Sequence, residues 1–194
     1  MDFKERVYSI LIVSAAEKFN SSVSEFFPDL KYYPVRFESS LSSAKRALLD
    51  REYDFVVINS PLPDADGIRF AIDLCSSKNS VVLLLVRSEI YNPIFDKTSS
   101  HGVYTLPKPT SRQIMTQAID WMTSTRERLR RLEKKTVSLE DKMQEIRIVN
   151  RAKWTLIERL KMTEADAHRY IEKQAMDRCI SKKDVSEAII RTYT

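Results

Sequence analysis

Glycine is almost missing from this chain, with Gly67 and Gly102 the only two in 194 residues, and all seven prolines lie at or before Pro109. The last 85 residues therefore contain neither of the strong helix breakers and are expected to be helix upon helix. Cysteine is equally scarce. Cys75 and Cys179 stand about a hundred residues apart with no CxxC pair, which argues against a disulfide framework or a zinc site and for reduced thiols. Long apolar runs are missing too: the longest, Val81 to Val86, falls far short of the roughly 20 residues of a membrane-spanning helix. The amino terminus places Asp2, Lys4, Glu5 and Arg6 before a short apolar run without a cleavage site, unlike a secretory leader, so a cytoplasmic location with no membrane partner is expected.

What remains is globular. With 43% hydrophobic and 30% charged residues the composition is neither disordered nor membrane-embedded, and the length suits one full domain plus a smaller unit. The net charge of +5 conceals an asymmetry. Residues 1–125 carry 14 Lys/Arg against 15 Asp/Glu, a net of −1, whereas residues 126–194 carry 18 against 12, a net of +6. Basic charge gathered on one unit is the footprint of a polyanionic partner, although on helices it also serves as a solvated face.

The first part of the chain alternates short β-rich runs, Val7–Val13, Tyr33–Phe37, Phe55–Asn59, Val81–Val86 and Val103–Leu106, with helical patterns at Glu17–Phe27, Leu41–Arg51, Gly67–Ser77, about Tyr91–Ser100, and one starting near Ser111. Strict alternation predicts an α/β fold: a doubly wound, five-stranded parallel sheet whose functional groups gather at the carboxyl ends of the strands. The fifth helix has no stop signal after Met122. Met122, Leu129, Thr136, Met143 and Asn150 fall on one heptad position and Thr125, Leu132, Leu139 and Ile146 on the other, which predicts a coiled-coil homodimer. The alternative is a single amphipathic helix packed on its own domain. Beyond it, Thr163 with Asp166 and Ser181 with Asp184 read as helix starts. Three helices, roughly 140–161, 164–178 and 182–193, then place Ile148, Ala152, Leu156, Leu160, Ala167, Tyr170, Ile171, Met176, Val185, Ala188 and Ile189 as the core of a small bundle. The expected division is 1–122 for the α/β domain, 123–139 for a coiled-coil linker helix and 140–194 for the helical module.

Residues 53–67, Tyr-Asp-Phe-Val-Val-Ile-Asn-Ser-Pro-Leu-Pro-Asp-Ala-Asp-Gly, and Leu106-Pro107-Lys108-Pro109 at the end of the fifth run resemble the flavodoxin-like receiver domains of bacterial response regulators. The resemblance covers residues 1 to about 122. It implies a phosphoacceptor carboxylate at the position of Asn59, whose amide cannot form an acyl phosphate. It also implies an acidic, magnesium-holding pair after the first strand, where this chain has Ser14 and Ala15. A hydroxyl sensor is expected after the fourth strand, aligned here with apolar Leu85 or Val86. Lys108 is the retained receiver lysine, held by a carbonyl or contacting a ligand. The resemblance thus points to a pseudo-receiver with no catalytic residue, no metal site and no cofactor, whose input is a regulatory protein or a small ligand instead of a phosphoryl group; the alternative is a scaffold with no small-molecule site that only dimerises.

Residues 140–193 resemble the ANTAR domain, the RNA-binding antitermination module of bacterial regulators. The match rests on Arg151-Ala152-Lys153, Met162-Thr163-Glu164 with Ala167, Ala175-Met176-Asp177-Arg178, and Asp184-Val185 with Glu187-Ala188-Ile189-Ile190. It implies recognition of hairpin loops in leader transcripts. The basic groups expected to meet RNA are Arg147, Arg151, Lys153, Arg169, Lys173, Arg178, Lys182 and Lys183, with small Ala152 allowing close approach. One departure is Trp154, where the family usually has glycine; its bulk either alters packing or offers a stacking surface. Trp154 and Tyr170 are expected in the core by burial tendency. His168 is expected at the surface and His101 in a loop. The function expected is a homodimeric antiterminator and not an enzyme. The alternative is a protein-interaction adaptor that uses the receiver and coiled coil and no longer binds RNA.

Overall fold

The structure is a computed structural model that describes residues 6–77 and 80–193; Asp2, Lys4 and Glu5 of the amino-terminal reading lie outside them. Contacts divide the chain into two compact units that meet between Arg130 and Arg131.

In the first unit five strands, β1 (Tyr8–Val13), β2 (Tyr32–Glu38), β3 (Phe55–Asn59), β4 (Val81–Arg87) and β5 (Tyr104–Lys108), form one parallel sheet in the order β2-β1-β3-β4-β5. The helices α1 (Glu17–Ser24), α2 (Leu41–Asp50), α3 (Ile68–Ser77) and α4 (Tyr91–Thr98) and the start of α5 (Arg112–Leu160) connect or follow the strands. Central strands buried on both faces read as continuous apolar runs, as parallel sheets require. Their side chains alternate between two cores. Leu11, Val13, Val56, Ile58, Val82, Leu84 and Val86 face the core shared with α2, α3 and α4. Ile10, Ile12, Phe55, Val57, Leu83 and Leu85 face the other, which Met115, Ala118, Ile119 and Met122 of α5 close. Because every strand runs parallel to its neighbours, the carboxyl ends of β1, β3 and β5 lie at a common edge.

Local chemistry fixes the loops on that edge. Ser40 caps α2 by accepting from the Ser43 amide, and the Ser43 hydroxyl returns a bond to the Ser40 end. Asp64 adds a second cap, accepting from the amides of Leu41 and Ser42 at 2.8 and 2.9 Å. These bonds stabilise the ionised form and hold the Asp64 carboxyl below its usual pKa. Gly67 has φ +74°, and a Cβ there would stand 2.9 Å from Ile58 Cγ2, so both its conformation and its contact with β3 demand glycine.

At the opposite edge Asp54 ties α5 to the sheet. One oxygen accepts from the Ser9 amide at 3.0 Å; the other accepts from Arg126 Nε and Arg130 Nη2, each at 2.8 Å. Glu127 completes the cluster, accepting from the Tyr8 hydroxyl at 3.0 Å and pairing with Arg130 and Arg6. This corrects the heptad reading. Met122 is buried, Leu129 packs against the same core, and the Thr125 hydroxyl bonds that of Tyr104, so these three belong to the α/β unit and not to an intermolecular seam. Leu132, Leu139, Met143 and Ile146 remain exposed along the same stripe.

The second unit contains the rest of α5, α6 (Glu164–Arg178) and α7 (Lys182–Tyr193). Ala152, Leu156, Ala167, Ile171, Ala175, Val185 and Ile189 form its core. The two caps read from the sequence are present: Thr163 Oγ1 accepts from the Asp166 amide, and Ser181 exchanges bonds with Asp184 in a capping box. With no glycine available, α6 ends on Cys179 at φ +51°, and the Ile180 amide reaches back to the Ala175 carbonyl, closing a Schellman turn on a residue type that rarely adopts this conformation. Met176, Leu160 and Ala188 were expected in this core; all three are exposed, Met176 at 78%, since Met176 and Ala188 sit one residue, or about 100°, off the buried Ala175 and Ile189 and Leu160 is the last residue of α5. Among the described residues no helix is long and apolar enough to cross a membrane.

Candidate functional site

Two sets of residues qualify, one in each unit. In the α/β unit the end of β3 delivers Asn59, 7% exposed, to the carboxyl edge of the sheet. Lys108 at the end of β5 donates to Asn59 Oδ1 at 2.6 Å and to the Ser60 carbonyl at 2.5 Å. An ammonium only donates, so the amide oxygen must face Lys108 and the amide nitrogen must face away. That nitrogen donates to Ser14 Oγ at 3.0 Å, and the same hydroxyl accepts from the Ala16 amide. Ser14, Asn59 and Lys108 thus form one continuous chain of hydrogen bonds across three strand ends. Ala15, the other residue of the expected acidic pair, is exposed and carries no polar side chain.

Burial pushes the Lys108 ammonium below its usual pKa, and the positive charge of Arg87 pushes it the same way. Among the described residues no carboxylate pairs with Lys108. The site does not fit a hard divalent cation: its one amide oxygen is taken by an ammonium and its remaining side-chain oxygen is a serine hydroxyl. Leu85 and Val86, read as the sensor position, are strand residues buried in opposite cores. The strand continues to Arg87, in register with Lys108, and Ser88 follows with its hydroxyl donating to the Lys108 carbonyl at 2.8 Å. Arg87 is the site residue the sequence reading missed. The signal for it was the polar pair Arg87-Ser88 that ends the apolar run. Next to Lys108 lies an open, largely apolar cavity of about 390 Å³, lined by Phe19, Val23, Phe26, Leu85 and Met115.

In the helical unit the nine residues expected at RNA do not share one environment. Lys153 donates to Glu164 at 3.0 Å, Lys182 to Glu172 at 2.5 Å, and Arg169 lies 3.9 Å from Asp166. The Lys182 bond holds the Glu172 carboxyl below its usual pKa, with His168 adding to the effect. Arg147, Arg151, Lys173 and Arg178 are exposed and Lys183 half-buried; none of the five has a carboxylate partner among the described residues. Ala152 is fully buried in the bundle core, so it sets helix packing and presents no surface for approach. Trp154 and Tyr170 reverse the expectation in the other sense: Trp154 is 65% exposed and Tyr170 38%. His168 is at the surface, 3.4 Å from Glu172, and His101 precedes Gly102 in a left-handed turn.

The α/β unit has the fold of solved receiver domains, and the ANTAR domain family model matches residues 138–190 of the helical part. Known proteins resemble the chain over much of its length. The transcriptional regulatory protein PdtaR of Mycobacterium tuberculosis is 27% identical over 139 residues, covering 72% of this chain and 68% of that protein. Among solved structures, the signal receiver domain of an HD domain-containing protein from Pseudomonas fluorescens superposes with a TM-score of 0.58 at 22% identity, covering 68% of this chain and 96% of that one. The non-phosphorylated HemR receiver domain from Leptospira biflexa gives 0.52 at 21% identity, covering 59% and 93%. At these identities the structural neighbours establish the fold alone.

Proposed function

We propose that the chain is a transcription antitermination regulator. Its ANTAR domain binds hairpin loops in leader transcripts, and its α/β domain takes a non-phosphoryl signal from a regulatory protein or a small ligand. The observation that carries the RNA half is the match over residues 138–190 on a unit where Arg147, Arg151, Lys173, Arg178 and Lys183 have no carboxylate partner among the described residues. Cations already paired internally would have to exchange one partner for another, whereas these five are available to phosphates. The likeness to a mycobacterial transcriptional regulatory protein supports the same reading.

The Asn59–Lys108 contact supports the non-phosphoryl half. An amide is not a nucleophile toward phosphoryl donors, and the ammonium that would steady an incoming phosphoryl group is satisfied by neutral oxygens. The apolar cavity beside Lys108 offers a place for a ligand or a partner side chain. The exposed stripe of Leu132, Leu139, Met143 and Ile146 supports a homodimer through this part of α5.

Titration of the full chain with a two-hairpin RNA across a salt series tests the RNA half. Specific binding that survives moderate salt and falls for scrambled loops is expected; equal binding to scrambled RNA leaves only a polyanion-binding surface. Retention of an acidic protein with no RNA affinity would instead establish the adaptor. Incubation with labelled acetyl phosphate is expected to leave the chain unlabelled, and stoichiometric labelling of the α/β domain would overturn the non-phosphoryl input.

A further inference from the structure

Trp154 is the largest exposed aromatic surface in the helical unit, and its neighbours on α5 give it a context. At 100° per residue, Arg147, Arg151 and Trp154 occupy one face of the helix, at successive turns, directly opposite the face that buries Ala152 and Leu156. The indole is 65% exposed, and the two guanidinium groups before it have no carboxylate partner among the described residues. The face also carries Asn150 at its edge and one acid, Glu158, a turn beyond the indole. An indole left in water beside two unneutralised arginines has the composition of a nucleic-acid surface: cations for the phosphates and an aromatic plane for a base.

We propose that Trp154 stacks on an unpaired loop base of the RNA while Arg147 and Arg151 hold the adjoining phosphates. This rests on the RNA reading above and adds to it a named residue and a contact type. A second copy of the chain is the less favoured occupant, since packing two such faces together would oppose arginine to arginine around the indoles. Stacking is tolerant of base identity, so the contact selects an unpaired, splayed base over a paired one and leaves sequence choice to other groups.

The full chain carrying Trp121→Phe leaves Trp154 as its sole tryptophan, because the sequence contains only two. Titration with a two-hairpin RNA is expected to quench Trp154 emission saturably, in step with binding measured by mobility shift. Trp154→Ala should weaken that binding about 5- to 150-fold, the range found for one stacked base, while Trp154→Phe retains most of it. Since the side chain is exposed, both variants are expected to keep the native circular dichroism. An abasic nucleotide at the stacked loop position should abolish the quenching. RNA bound with unchanged Trp154 emission, and bound equally by Trp154→Ala, overturns the stacking assignment and leaves the antitermination reading intact. A blue shift of Trp154 that grows with protein concentration in the absence of RNA shows that a second copy covers the indole, and also overturns it. If the native chain binds no hairpin RNA, the antitermination reading falls and this assignment with it.

Discussion

Single side chains decide what the carboxyl edge of the sheet can do. The amide at position 59 gives Lys108 a neutral oxygen to face, where a carboxylate would present a negative charge. With burial opposing its charge and Arg87 nearby, Lys108 is held below the ordinary lysine value. The substitution Asn59→Asp places a negative charge against the ammonium and opposes both effects, so the Lys108 pKa is expected to rise. Titration of the Lys108 Cε resonance by NMR measures this directly; an unchanged midpoint would contradict the contact between the two side chains. Residues 59 and 108 were legible in the sequence because strand ends and a Lys-Pro pair mark them. Arg87 was not, because the end of a parallel strand cannot be fixed to the residue from an apolar run alone, and the register with β5 is what identifies it.

Among the elements, α5 carries the most information that the sequence concealed. Its heptad positions continue without interruption from Met122 to Asn150, yet one periodicity serves two environments: the first turns pack on the sheet and the later ones are exposed. Hydrophobic spacing gives the face of a helix but not what that face meets. The Asp54 cluster marks where packing on the sheet ends. Burial alone would push the Asp54 carboxyl up, but the Arg126 bond, the Ser9 amide and the charges of Arg130 and Arg126 outweigh it, and its pKa lies below the usual carboxylate value. A carboxylate depressed by folding contributes stability above its unfolded pKa of about 3.9, and that contribution is lost as pH falls through the folded value. Asp54→Asn is therefore expected to lower the stability of the α/β unit by about 1.5–3 kcal/mol at neutral pH, as for hydrogen bonds to a charged group. The gap between the native chain and the variant should shrink as pH falls below about 4. Urea denaturation of both at neutral pH and at pH ~3 supplies the check; an equal gap at both would mean that the carboxylate's charge does not hold α5. The same limit of pattern explains the bundle: Ala152 and Trp154 are two residues apart on one helix, and general burial tendency placed Trp154 inside, whereas the angular position relative to Leu156 places it out.

For the whole molecule, the antitermination function proposed above requires two units on one chain to act together on an RNA with two hairpins. A dimer held by the stripe of Leu132, Leu139, Met143 and Ile146 would present two copies of the helical unit to one transcript, making the second contact intramolecular. The gain comes from effective concentration and not from any new contact, so it has a distinctive signature. Leu139→Glu combined with Ile146→Glu puts like charges into the stripe, at side chains 61% and 59% exposed in the single chain, so the fold of each unit is expected to survive. Sedimentation should then report a monomer. Affinity for a two-hairpin RNA should fall about 100-fold, while affinity for a single hairpin stays within about twofold, because avidity is lost and the contact surface is retained. Equal losses for both RNAs would place these residues in the RNA contact itself, and unchanged sedimentation would move dimerisation away from α5.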